Sequence, residues 1–90
     1  MNEIQRETEL KKLSGWIFNP EKNCLSKEFS FKSYLKTISF VNAVAWLANR
    51  ENHHPDLVVS FGKCVVELTT HDEGGVSEKD FKLAVLIDGL

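Results

Sequence analysis

All three histidines of the chain fall between Glu51 and Asp80. His53 and His54 are adjacent and Pro55 follows them; His71 stands further on, ahead of Asp80. Imidazole is the side chain whose ordinary pKa, ~6.5, lies nearest neutrality. Crowding every imidazole into one third of the chain points to proton transfer, metal binding or a pH switch. A metal is the weaker reading. Neighbours in an extended segment point to opposite sides, so His53 and His54 make awkward co-ligands. There is no HExxH pattern and no cysteine pair. Nucleophilic catalysis is weaker still, because Cys64 falls on the expected core face of its segment, away from His71, where a thiol packs rather than reacts. General acid–base chemistry is what these residue types favour, and it calls for no metal or redox cofactor.

The histidines need elements to gather them. Pro55 holds the residue before it extended. Leu57 to Phe61 has strand composition, Gly62-Lys63 marks a tight turn, and Cys64 to Thr70 reads as a second strand. A hairpin turning at Gly62 sets the start of its first strand beside the end of its second. That brings His53 and His54 back towards His71, at the far end of the second strand. Gly74-Gly75 then breaks the chain. Ser77 has the look of a helix N-cap, with Asp80 three residues on as a carboxylate version of the capping box. Each residue also has a plainer use: a histidine can sit on the surface, Asp80 can simply cap its helix, and Trp16 can simply pack.

The remaining chain supplies the support. Glu3 to Leu13 has helical character, with a thin stripe of Ile4, Leu10 and Leu13. Trp16 to Phe18 is a short strand, Asn19 to Asn23 a turn, and Cys24 to Phe31 alternates with period two. Lys32 to Arg50 is the longest expected helix. Its residues Tyr34, Leu35, Ile38, Val41, Ala45 and Ala48 recur at helical spacing and are expected to cover the sheet. Phe40, Val44 and Leu47 then fall towards the opposite side and form a candidate subunit interface. Ser77 to Leu90 closes the chain as a core-facing helix. The order α-β-β-α-β-β-α implies an α+β fold: one domain, residues 1–90, with a four-stranded antiparallel sheet and helices packed on one face.

Composition excludes several roles. Ninety residues at 42% apolar and 27% charged suit one small globular domain. A net charge of −2 with no basic stripe argues against direct nucleic-acid binding. No apolar run approaches the ~20 residues that span a bilayer, and the polar start of the chain does not read as a signal peptide. Cys24 and Cys64, without a CxxC, fit two free thiols in a reducing cytoplasm.

The spaced pattern is more specific than its parts. His53-His54-Pro55, five residues, Phe61, nine residues, His71, eight residues and Asp80 resembles the signature of the pterin-4a-carbinolamine dehydratases. Gly15-Trp16 is similar to that family's active-site tryptophan segment, and Lys27 to Phe31 to its second strand. The resemblance spans nearly the whole chain. This chain has Asn49 and Asn52 where many members are acidic, and Lys79 where an arginine is common. The resemblance implies a lyase that dehydrates a 4a-hydroxytetrahydropterin to the quinonoid dihydropterin during recycling of the tetrahydropterin cofactor. It implies acid–base roles for His53 and His71, with His54 mainly holding substrate. Trp16, Asn52, Pro55, Lys79 and Asp80 are its candidate substrate contacts. It further implies a homodimer or homotetramer built on the Lys32–Arg50 helix. The second implied class is a non-catalytic dimerisation or interaction module on the same fold, in a coactivator-like or assembly role.

Overall fold

A computed structural model describes all residues from Met1 to Leu90. Helix α1 (Glu3–Leu10) precedes strands β1 (Ile17–Asn19) and β2 (Cys24–Ser30); helix α2 (Tyr34–Glu51), strands β3 (Asp56–Ser60) and β4 (Lys63–Leu68), and helix α3 (Glu78–Asp88) follow. The strands form one sheet in the order β1-β2-β4-β3, every pair antiparallel. The helices pack on one face, as the element order implies.

Period-two alternation decides which side chains meet the helices. Cys64, Val66 and Leu68 of β4 are buried, and Leu25 of β2 lies opposite Leu68. Against them pack Val44 and Leu47 of α2 and Phe81, Leu83, Ala84 and Ile87 of α3, with Trp16 and Val76 completing the cluster. The two long helices start on side-chain caps. Ser33 Oγ accepts from Lys36 N, and the Ser77 side chain closes a reciprocal box with Asp80.

Two expectations need correction. The buried stripe of α2 is Thr37, Val44, Leu47 and Ala48, with Phe40 and Val41 against the core. Val44 and Leu47 are therefore core residues of the chain itself, and Phe40 packs on Phe29 and Phe31. Val44 and Leu47 cannot serve as the interface expected of them, and Phe40 is half-buried against the sheet. The helix is turned by roughly a quarter of a circle from that expectation. Thr37 Oγ1, bonded to Phe61 O at 2.9 Å, fastens the first turn to the β3–β4 hairpin. The bulk of Phe40, Val44 and Leu47 then fills the space above the sheet better than Ala45 does. Tyr34, Leu35 and Trp46 are left exposed. Leu10 at the end of α1 and Leu13 just beyond it reach the core, whereas Ile4 is 78% exposed and belongs to no stripe. No helix is long and apolar enough to cross a membrane.

Candidate active site

His53 is delivered by the way α2 ends. Asn52 adopts the left-handed conformation at φ 52°, which asparagine tolerates better than most residues. The His53 N–H then bonds back to Ala48 O at 3.1 Å, so the chain reverses and the imidazole turns towards the start of α3. Its Nε2 lies 2.5 Å from Asp80 Oδ1. Asp80 is entirely buried. Its other oxygen, Oδ2, accepts from Thr70 Oγ1 at 2.9 Å and from the Ser77 N–H at 3.0 Å. The carboxylate also sits in the first turn of α3, where the helix dipole favours an anion.

An ionised carboxylate only accepts hydrogen bonds. The hydrogen between the two groups therefore belongs to His53 Nε2. In the neutral ring this leaves Nδ1 unprotonated, with its lone pair free of Asp80.

His71 is not the last residue of a strand. β4 ends at Leu68, and His71 opens a 3₁₀ turn, His71–Glu73. Paired backbone bonds between Thr70 and Gly75, at 3.0 and 3.1 Å, close this loop on itself. Asn23, in the β1–β2 turn, braces it from outside by donating to Gly74 O at 3.0 Å. Gly75 is required there: its φ is +145°, and a Cβ would lie 2.3 Å from the Asn23 side chain.

The result is an open cleft of about 370 Å³, within the ~300–1,000 Å³ usual for ligand sites. His53, His54 and His71 all line it, with Asn52 and Lys79. A smaller hollow of about 230 Å³ adjoins the far side of His53, where Glu51, Lys82 and Leu83 contribute. Five of the eight residues singled out from the sequence thus share one cleft, and Asp80 stands directly behind it. Pro55 and Trp16 do not line it. Pro55 links the histidine pair to β3. Trp16 is buried near the opposite end of α3, its Nε1 donating to Asp88 Oδ2 at 3.0 Å. Cys64 is buried between the sheet and the helices, and burial pushes its thiol above the ordinary range, as expected of a packing residue.

Thr69, Thr70 and Asp72 line the cleft without having been singled out. Thr70 had a usable signal. Even-numbered β4 residues face the core, so Thr70 continues the series Cys64, Val66, Leu68 onto the buried side. A hydroxyl there needs a partner.

A model of the pterin 4 alpha carbinolamine dehydratase family matches residues 1–90. The chain belongs to this family. Two relatives that carry the name pterin-4-alpha-carbinolamine dehydratase illustrate the likeness. One, from Nitrosospira multiformis, is 53% identical over 81 residues, covering 90% of this chain and 70% of the relative. Another, from Aquifex aeolicus, is 50% identical over 90 residues, covering the whole chain and 89% of the relative. Among solved structures, a transcriptional coactivator/pterin dehydratase from Brucella melitensis superposes with a TM-score of 0.93 at 28% identity, covering 99% of this chain and 95% of the other. A pterin dehydratase-like protein described as a RuBisCO assembly factor in the alpha-carboxysome superposes with a TM-score of 0.72 at 25% identity, covering 84% and 88%. Pterin dehydratase-like folds are thus found under both enzymatic and assembly descriptions.

Proposed function

We propose that the protein is a hydro-lyase that dehydrates a 4a-hydroxytetrahydropterin to the quinonoid dihydropterin. The reaction breaks the C4a–O bond and the N5–H bond, forms the C4a=N5 double bond and releases water. Hydroxide leaves poorly unless an acid protonates it as the bond breaks, and N5 needs a base. Each such group typically contributes ~10²–10⁴-fold.

The observation that supports this reading best is the pairing of His53 with buried Asp80 at the wall of a cleft shared with two further imidazoles. With Nε2–H committed to Asp80, His53 offers Nδ1 as the base for the N5 proton. His71, exposed on its own loop, is free to carry a proton from solvent and deliver it to the departing hydroxide. His54, Asn52 and Lys79 supply the polar rim that orients the heterocycle. His53→Ala and His71→Ala should each lower kcat by about 10²-fold or more, measured on freshly generated carbinolamine, with circular dichroism unchanged. Wild-type turnover in both variants would remove the acid–base assignment.

A second reading, an interaction module without catalysis, draws on the apolar residues left uncovered on α2: Leu35 is 76% and Trp46 62% exposed. Any self-association through α2 would use these residues together with Tyr34. Thermal stabilisation by a dihydropterin separates the readings, since a pure scaffold has no reason to respond.

A further inference from the structure

His53 and Asp80 do not form an isolated pair. Behind them runs a buried chain of hydroxyls whose hydrogens can be placed by counting. Thr70 Oγ1 lies 2.9 Å from Asp80 Oδ2 and 2.7 Å from Ser77 Oγ. Thr70 has one hydroxyl hydrogen, and the carboxylate can only accept. The Thr70 hydrogen therefore goes to Asp80. Ser77 must in turn donate to Thr70, while its own oxygen accepts the Lys79 N–H at 3.3 Å as the cap of α3. Donation runs in one direction: Ser77 to Thr70, Thr70 to Asp80, with His53 donating to Asp80 from the other side.

Thr70, Ser77 and Asp80 are all buried. The chain ends at a backbone amide, so it is no conduit for protons. Its effect is to fix the Asp80 carboxylate in orientation and leave it no spare proton to offer His53. Low local polarity strengthens such a network when every member is satisfied, and here every member is.

We propose that Thr70, oriented by Ser77, is a positioning residue for His53. Its hydroxyl locks Asp80 in the acceptor state that holds the His53 ring with Nε2–H inward and Nδ1 towards the cleft. Thr70 sits next to His71, so one residue just past β4 couples the placement of two imidazoles that reach the cleft from different elements. This rests on the acid–base reading above and adds to it a residue that touches no reacting atom.

The test uses the full-length protein and two variants. Thr70→Val keeps the shape and removes the hydroxyl; Thr70→Ser keeps the hydroxyl and removes the methyl. Thr70→Val should lower kcat about 10-fold with KM little changed, and Thr70→Ser should restore it. The readout independent of turnover is the ¹H–¹⁵N signal of His53 Nε2–H. That signal should be protected and downfield in the wild type, shifted or broadened in Thr70→Val, and restored in Thr70→Ser. If Thr70→Val does not fold, Thr70→Ala takes its place. An unchanged signal together with unchanged kcat in the hydroxyl-free variant would overturn the proposal. So would equal impairment in Thr70→Ser, because the methyl's packing would then be what matters. Absence of dehydratase turnover in the wild type would instead strike the functional reading and leave the spectroscopic arm to decide this one.

Discussion

The two ends of α3 use the same device for different purposes. At each end an aspartate accepts a hydrogen bond from an aromatic N–H brought from a distant part of the chain: Asp80 from the His53 imidazole, Asp88 from the Trp16 indole. Asp80 lies in the first turn, where the helix dipole favours its charge, and it is fully buried. Asp88 lies in the last turn, where the dipole opposes its charge, and it recruits Lys27 at 2.9 Å as compensation. Lys27 also donates to Ser14 O, so the second cluster clamps the segment leading into β1. The chemical difference lies in the donor. An indole N–H has no second nitrogen and cannot pass a proton on. An imidazole fixed at one nitrogen presents the other as a base. Similar geometry therefore yields a structural clamp at one end and a candidate acid–base group at the other.

Replacing each aspartate by asparagine is the most demanding test of that difference. In Asp80→Asn the amide oxygen is needed by Thr70 and Ser77, so the NH₂ must face His53. The ring is then forced to protonate Nδ1 and loses its base. Turnover should fall by about 10²–10⁴-fold, with a stability loss of about 1–3 kcal/mol as charge-assisted bonds weaken. In Asp88→Asn the oxygen can still accept from Trp16, and only a partly exposed ion pair is lost, a matter of about 0.2–1 kcal/mol. Turnover should stay near wild type. Urea melts and initial rates on both variants decide the issue; comparable losses of activity would mean that the two ends do not differ in kind.

The loop before α3 gives the next largest effect. Gly75→Ala forces a Cβ to within 2.3 Å of the Asn23 side chain at φ +145°. Backbone strain alone is about 1–3 kcal/mol, and Asn23 must also move. Because Asn23 braces the loop bearing His71, kcat should fall along with the melting temperature. Gly74→Ala is the control. Its φ is +76°, but nothing lies within 4 Å of a Cβ there, so it should cost about 1 kcal/mol and leave turnover nearly intact.

Much of this was legible in the sequence, for identifiable reasons. Strict alternation in β4 and a turn at Gly62 dictate a hairpin, and a hairpin must return residue 71 towards residues 53 and 54. Ser77 and Asp80 announce a capping box because that motif is local. The rotation of α2 was not legible. Its apolar residues wrap too far around the helix, and only the neighbouring hairpin, through Thr37, selects the buried side. Asp80 shows why the site was only half visible. A helix cap and a histidine partner demand the same residue at the same position, and the sequence cannot separate two uses that coexist. The position of Trp16 depends on where α3 ends relative to β1, which no local pattern states.

Trp16→Phe sharpens the comparison from the other end. It keeps the ring within the apolar cluster and removes the N–H that meets Asp88. The expected cost is about 1 kcal/mol in a denaturant melt, with kcat and KM unchanged, since the indole is remote from the histidine cleft. A clear rise in KM for the pterin would bring Trp16 into contact with substrate and so break the contrast between the two ends.

The smallest effect concerns a third carboxylate, Glu51, which meets α3 through Lys82 at 3.2 Å. Hydrogen bonds from Arg50 and then Lys82 hold its carboxyl below the ordinary glutamate range. A depressed folded-state pKa means that the unfolded chain takes up the proton first. The contribution is therefore fully present above the unfolded value, ~4.3, and is lost as pH falls through the folded one. Unlike Asp80, this group is only partly buried, and water screens it. Glu51→Gln should leave the melting temperature almost unchanged at pH 3, lower it slightly at pH 6, and flatten the acid limb between. If the variant instead shows the full wild-type acid dependence, the acid sensitivity belongs to other carboxylates, and the α2–α3 junction owes nothing measurable to this surface contact.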